Sequence, residues 1–190
     1  MLLRGFAVAT AEYAAAVDLV AAAAPFRQLQ TPGGRTMSAA MTNCGTLGWY
    51  SDVKGYRYER CDPLSGLAWP AMPSIFLDLA QRAAAKAGYR NFLPNACLIN
   101  RYAGKAKMGA HRDADERDFS QPIVSVTLGA AATFLWYGKL RSGSAVKIRL
   151  EPSDVLVWGG SARRGYHAVG QAEGAAAGTV RINLTFRKAG

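Results

Sequence analysis

A chain of 190 residues, half of them apolar, suits one domain with a sizeable core. Its three cysteines, Cys44, Cys61 and Cys97, are odd in number, widely spaced and form no Cys-x-x-Cys pair; this argues against a disulfide framework or a thiolate zinc site and fits a reducing compartment. The formal net charge of +10 favours a polyanionic partner, since each phosphate met by Lys or Arg releases counterions, although a merely basic soluble enzyme would carry the same charge.

The opening stretch, MLLRGFAVATAEYAAAVDLVAAAA, is interrupted by Glu12 and Asp18 and falls short of the ~20 apolar residues a bilayer span needs. It predicts an amphipathic, alanine-rich helix over about 10–23 in a soluble, cytoplasmic protein with no membrane partner. Residues 31–52, TPGGRTMSAAMTNCGTLGWYSD, read as irregular or hairpin structure in which Met37 and Met41 either line an adaptable surface or simply pack. KGYRYER, residues 54–60, alternates Lys54, Arg57 and Arg60 with Tyr56 and Tyr58, mixing phosphate contacts with stacking surfaces. Apolar residues at 76, 79, 80, 83 and 87, Ser74 as N-cap and Gly88 as terminator predict a helix over 74–87.

After residue 95 the pattern changes. ACLINRY, PIVSVTLG, ATFLWYG, AVKIRLE, DVLVWGG and TVRINLTFRK are short, rich in β-branched and aromatic residues and separated by Gly, Pro or Ser turns. Many strands without intervening helices predict a mainly β fold with flanking helices, a sandwich or jelly roll. A jelly roll also suits a buried metal, because inward side chains of several strands converge in its mouth.

The chain has only two histidines, and GAHRDADE places one of them, His111, two positions before Asp113. On a strand, residues i and i+2 leave the same face, so both reach one ion; the alternative is a solvated polar loop. His167, in RRGYHAVG, follows the strand DVLVWGG and can approach from another strand. Two histidines and one carboxylate leave coordination positions open, as non-haem Fe(II) oxygenases require, and zinc accepts the same ligands. In VRINLTFRK, Arg181, Asn183, Thr185 and Arg187 alternate with Ile182, Leu184 and Phe186, so two guanidiniums and an amide share a face. Facing solvent, that face is merely basic; facing inward, its arginines need an anionic partner, for which a dicarboxylate held by bidentate pairing would serve. Asn100 and Tyr102 again share one face of an earlier strand.

The combination CLINRYAGKAKMGAHRDADE, PIVSVTLG, DVLVWGG, YH and RINLTFR, with APFRQLQTPGGRTMSAAMTNCGTLGW and WPAMP upstream, resembles the AlkB-type Fe(II)- and 2-oxoglutarate-dependent dioxygenases over nearly the whole chain. The resemblance implies a double-stranded β-helix (jelly roll) core under an N-terminal nucleotide-recognition region. These form one catalytic domain over 1–190, with the helix and lid at about 1–70 and the iron-bearing core at about 95–190. It implies that His111, Asp113 and His167 bind Fe(II), that Arg187 grips the distal carboxylate of 2-oxoglutarate, and that Arg181 lies near the iron-chelating end. Asn100, Tyr102 and Asn183 would complete that pocket. Trp49 would stack on an extruded base opposite His111, Tyr56 would touch the nucleic acid backbone, Asp115 would face the base's exocyclic amine, and Arg141 would help hold the substrate.

The activity so implied is direct-reversal DNA repair: oxidative demethylation of 1-methyladenine or 3-methylcytosine lesions. It would use iron, 2-oxoglutarate and dioxygen, and release formaldehyde, succinate and carbon dioxide. The partner would be alkylated DNA, single-stranded for preference, with RNA also open, and the enzyme a monomer. The rival readings are a same-fold oxygenase acting on a protein or small molecule, and a binding module without catalysis. The sequence departs from the family pattern at YAGKAKMGA, which lacks a Pro-Gly turn, and at HAVGQAEGAAAG, read as a short flexible connection. It also begins almost directly at the first shared helix, without the extension of longer members. These departures bear on substrate preference more than on chemistry.

Overall fold

The computed structural model describes residues 1–190. Alanine, the strongest helix former, dominates α1 (Thr10–Ala23), which buries Tyr13, Ala16, Val17 and Val20 along one stripe. Helix α2 (Ser74–Lys86) buries Phe76, Leu79, Ala80, Ala83 and Ala84 in the same manner. Ser74 is not its N-cap as expected: it is already helical, Pro73 holds the cap position, and no side chain caps that end. The Pro73 carbonyl instead accepts the N–H groups of Phe76 and Leu77. Gly88, at φ +96°, ends the helix in the left-handed region that a side chain would resist. No helix is long and apolar enough to cross a membrane.

The strands are β1 (Leu2–Leu3), β2 (Arg27–Gln30), β3 (Thr36–Gly45), β4 (Gly48–Asp52), β5 (Gly55–Glu59), β6 (Ala96–Ala103), β7 (Met108–His111), β8 (Ile123–Gly129), β9 (Ala132–Gly138), β10 (Val146–Leu150), β11 (Val155–Trp158), β12 (Tyr166–Ala172) and β13 (Val180–Arg187). A seven-stranded sheet runs β1-β11-β8-β13-β6-β3-β2, a four-stranded sheet runs β10-β9-β12-β7, and β4–β5 form a separate hairpin. All six strands expected after residue 95 are present. The other two, β7 and β12, lie outside those six runs, contain glycine and only one β-branched residue between them, and are held by pairing, β12 lying between β9 and β7. The segment read as a flexible connection is therefore strand as far as Ala172, and only then a short 3-10 turn at Ala175–Ala177. Upstream, β2 and β3 extend the large sheet beside β6, leaving the β4–β5 hairpin as the part that stands over it.

Period-two alternation gives the large sheet two buried faces. Cys97, Ile99, Val124, Val126, Leu184 and Phe186 join both helices in one core of 21 buried residues. Leu98, Tyr102 and Ile123 point the other way and meet Phe134 of the smaller sheet and Trp158 in a second cluster. The hairpin is fixed at its base by Trp69: a Cβ on Gly48 would lie 2.4 Å from that indole, so β4 enters directly beneath the ring. The Trp69 indole N–H donates to the Glu59 carbonyl at 3.0 Å. Arg27 also lies over the ring, 5.7 Å from its centroid, and pairs with Asp62 at 2.5 Å.

Candidate active site

Strands β7 and β12 are neighbours, with His111 and His167 directly opposite in register. Asp113 lies just past the end of β7 rather than on it, so the loop and not strand alternation brings its carboxylate to the imidazoles. His111 Nε2 stands 3.9 Å from Asp113 Oδ1, and His167 Nε2 stands 3.9 Å from Asp113 Oδ2. The ligating atoms of all three lie within 4.8 Å of one another, which suits one ion about 2 Å from each. Each imidazole has its Nδ1 against a backbone carbonyl, Gly109 for His111 at 2.8 Å and Gly165 for His167 at 3.2 Å. An Nδ1–H donated there leaves the Nε2 lone pair aimed at the shared point, the orientation a metal ligand needs.

The electrostatics suit the same task. Burial pushes the His167 imidazole down to about 4 against the pull of Asp113, so it is neutral with a free lone pair at physiological pH. Its ring is clamped by Phe134, with centroids 5.4 Å apart and planes at 20°, and by the edge of Trp158 at 5.3 Å. Burial alone would raise the Asp113 carboxyl, but Arg187, His167 and His111 outweigh it and hold the group well below the usual carboxylate range.

Behind this cluster a cavity of about 280 Å³ opens between the two sheets. Arg181, Asn183, Thr185 and Arg187 all line it, which settles the orientation of β13: the polar face points inward. Asn100 and Tyr102 line it from β6. The two arginines, however, lie in the reverse of the expected order. Arg187 is the one beside the metal ligands, its Nη2 at 3.1 Å from Asp113 Oδ2. Arg181 is at the inner end, donating to Thr127 Oγ1 at 2.9 Å and lying 5.2 Å from the Tyr102 ring centroid. Alternation specifies a shared face but not which end of the strand reaches the ion.

Arg181 is 1 % exposed, yet its Nε and Nη1 have no hydrogen-bond partner, nor has Asn100 Oδ1. Buried donors without partners are rare and costly, so the Arg181 guanidinium makes this end of the cavity complementary to an anionic ligand, while the Asn100 oxygen, an acceptor, is left for a hydrogen-bond donor. Asn183 differs: its amide donates to Ser125 Oγ at 2.8 Å and to the Val126 carbonyl at 2.9 Å, and its oxygen accepts from Thr185. It shapes the wall and has little left to offer a ligand.

At the mouth, Trp49 on β4 and Tyr56 on β5 stack with centroids 5.6 Å apart and planes at 18°. Both line the cavity, as do Asp115 and Arg141. The Trp49 indole N–H donates to Asp115 Oδ2 at 2.8 Å, and the exposed Arg141 donates to the Ala110 carbonyl at 3.3 Å. Met37 and Met41 complete the wall from β3. Arg57, expected as a phosphate contact, is instead tied to Asp52 and Glu59 and stacked on Tyr50, so it rigidifies the hairpin. Arg112 and Arg163, read from the sequence only as further basic residues, part company: the Arg112 guanidinium sits 5.4 Å over the Tyr166 ring at the rim, whereas Arg163 is buried and paired with Glu116, a residue not singled out from the sequence. Glu116 directly follows Asp115 in DADE, but nothing local distinguishes it from a solvated carboxylate.

A jelly roll that carries two histidines and one carboxylate beside a buried, cation-lined cavity defines a non-haem iron oxygenase. The family model of the 2OG-Fe(II) oxygenase superfamily matches residues 1–187. The alpha-ketoglutarate-dependent dioxygenase AlkB of Escherichia coli K12 is 50% identical over 194 residues, covering 100% of this chain and 90% of that protein. The DNA N(6)-methyladenine demethylase ALKBH1C of Arabidopsis thaliana is 28% identical and covers 83% of this chain, with 41% of its own length matched. The solved structure of OsALKBH1 superposes with a TM-score of 0.82 at 26% identity, over 98% of this chain and 95% of that one. The chain belongs to the 2OG-Fe(II) oxygenase superfamily and, within it, to the AlkB-type dioxygenases: it is an enzyme that uses Fe(II) and 2-oxoglutarate.

Proposed function

We propose that this enzyme removes alkyl groups oxidatively from nucleobases of the 1-methyladenine and 3-methylcytosine type, repairing alkylated DNA by direct reversal. The observation that carries this reading is the Trp49–Tyr56 stack at the mouth of the cavity holding His111, Asp113 and His167. An extruded, cationic methylated base finds there a π-face and, in Asp115, an acceptor for its exocyclic amine. The names borne by the relatives, among them a DNA demethylase, support a nucleic acid substrate.

In this reading His111, Asp113 and His167 hold the iron. Arg187, beside Asp113, meets the cosubstrate's carboxylate at the metal end, and Arg181 with Tyr102 and Asn100 takes the distal carboxylate, the reverse of the sequence expectation. Asn183 supports the wall, Tyr56 and Arg141 steady the nucleotide at the rim, and Trp49 with Asp115 orients the base. Iron at this site, with 2-oxoglutarate and dioxygen, supplies oxidation of the N-methyl group, which leaves as formaldehyde while 2-oxoglutarate becomes succinate and carbon dioxide. The protein's own part is geometric and electrostatic: a neutral His167 held between Phe134 and Trp158, and an ionised Asp113.

Residues 1–190 act as one catalytic domain, a cytoplasmic monomer. Lesions that block pairing lower the cost of extrusion, and a single strand removes most of it; RNA presents the same bases. Mass spectrometry of a methylated oligonucleotide panel, after incubation with Fe(II), 2-oxoglutarate and air, tests the reading. Loss of the methyl group with matching formaldehyde and succinate is expected. Succinate formation with no methyl loss from any oligonucleotide would assign the enzyme to a protein or small-molecule substrate instead.

A further inference from the structure

Tyr58 and Glu116 belong neither to the ligand set nor to the mouth, yet they join the two. Glu116 is buried with both carboxylate oxygens engaged: Oε1 accepts the Tyr58 hydroxyl at 2.7 Å and lies 3.2 Å from Arg187 Nε, and Oε2 accepts Arg163 Nη2 at 2.9 Å. Arg163 is itself locked, donating to the Asp113 carbonyl at 2.9 Å and the Gln121 carbonyl at 3.2 Å. Arg187 thus sits between two carboxylates, Asp113 and Glu116, and is not aligned for a full hydrogen bond with either. The Tyr58 hydroxyl decides how strongly Glu116 competes for it. A proton donated to Oε1 offsets that oxygen's charge and Arg163 occupies Oε2, so Glu116 steadies the guanidinium without drawing it into a bidentate pair.

Tyr58 also belongs to the hairpin. It is the residue directly opposite Trp49 in the β4–β5 register, so the two share a face. Their anchors are adjacent in sequence as well: Trp49 on Asp115, Tyr58 on Glu116. Four consecutive residues, Asp113 to Glu116, therefore touch the metal cluster, the stacking indole and the cosubstrate arginine. From this geometry we infer that Tyr58 and Glu116 are positioning residues. They set the Arg187 guanidinium for 2-oxoglutarate and couple cosubstrate binding to base stacking at the mouth.

The inference rests on Arg187 meeting the metal-end carboxylate. Any such coupling is reciprocal, so an oligonucleotide at the mouth should tighten 2-oxoglutarate by the factor with which 2-oxoglutarate tightens the oligonucleotide. The test is anaerobic titration of the Fe(II) enzyme with 2-oxoglutarate, followed by the visible absorption of the complex, with and without a methylated oligonucleotide. Tyr58→Phe, which removes one oxygen, should weaken 2-oxoglutarate about 5-fold and abolish the oligonucleotide's effect on it, while the thermal midpoint of the metal-free protein falls only by the few degrees that one buried hydrogen bond is worth. Glu116→Gln, which keeps the side chain's volume, should act in the same direction and carries the test if the tyrosine variant does not fold. Wild-type affinity and wild-type oligonucleotide effect in these variants would overturn the inference. Unchanged binding in Arg187→Met would overturn the reading beneath it.

Discussion

On one face of β13, Ile182, Leu184 and Phe186 meet side chains of the helices and neighbouring strands, and nothing polar is left over. On the other face, Arg181, Asn183, Thr185 and Arg187 are no more accessible, each at 6 % exposure or less, but several of their donors have no partner. Burial does not separate the two faces; hydrogen-bond satisfaction does. The apolar face is complete within the protein alone, whereas the polar face becomes complete only with an anion in the cavity. A buried polar row on a strand is thus informative for what it lacks.

That contrast can be broken at several points. The largest effect belongs to the cavity side: Asp113→Ala should lower turnover by more than about 1,000-fold while salt-sensitive oligonucleotide binding survives, measured by succinate release and by anisotropy. Loss of both together would make Asp113 a structural residue. On the apolar face, Leu184→Ala should cost about 2–5 kcal/mol in denaturant unfolding and leave the affinity for 2-oxoglutarate unchanged in the folded fraction.

Arg181→Met sharpens the comparison most. It should raise the KM for 2-oxoglutarate roughly 100-fold, the worth of two charge-assisted hydrogen bonds, yet hold or raise the thermal midpoint of the ligand-free protein, because it removes a buried cation that has no anionic partner and two unsatisfied donors.

The smallest effect lies at the hairpin's base, outside both faces. Burial pushes the Asp62 carboxyl up, but Arg27, the Leu64 N–H and Ser65 hold it below its ordinary value. Its folded pKa is depressed, so its contribution is full above the unfolded value near roughly pH 4 and is lost as pH falls through the folded one. Asp62→Asn should therefore cost about 1 kcal/mol at neutral pH and flatten the acid limb, the difference from wild type closing in strong acid.

Much of this was legible in the chain. Short runs rich in β-branched, aromatic and other apolar residues specify β6, β8, β9, β11 and β13, and alternation places Arg181 and Arg187 on one face. What stayed hidden depends on register and on partners distant in sequence. β12 carries YHAVGQA, with no strong strand pattern of its own, and exists because β9 and β7 flank it. The order of the two arginines depends on which end of β13 meets the loop of Asp113, a matter of tertiary placement. Arg57 and Tyr58 read alike as members of a basic, aromatic stretch. Only the fold turns one toward Asp52 and Glu59 and the other toward Glu116.

The close approach of Gly48 to Trp69 bears on how the enzyme can be redesigned. A methyl group at 48 would collide with the indole at 2.4 Å, so these positions tolerate change only as a pair, glycine yielding space as the large ring is lost. A mutant library on this hairpin should keep both constant and diversify Val53 and Lys54 at its exposed tip, where a new side chain disturbs no packing.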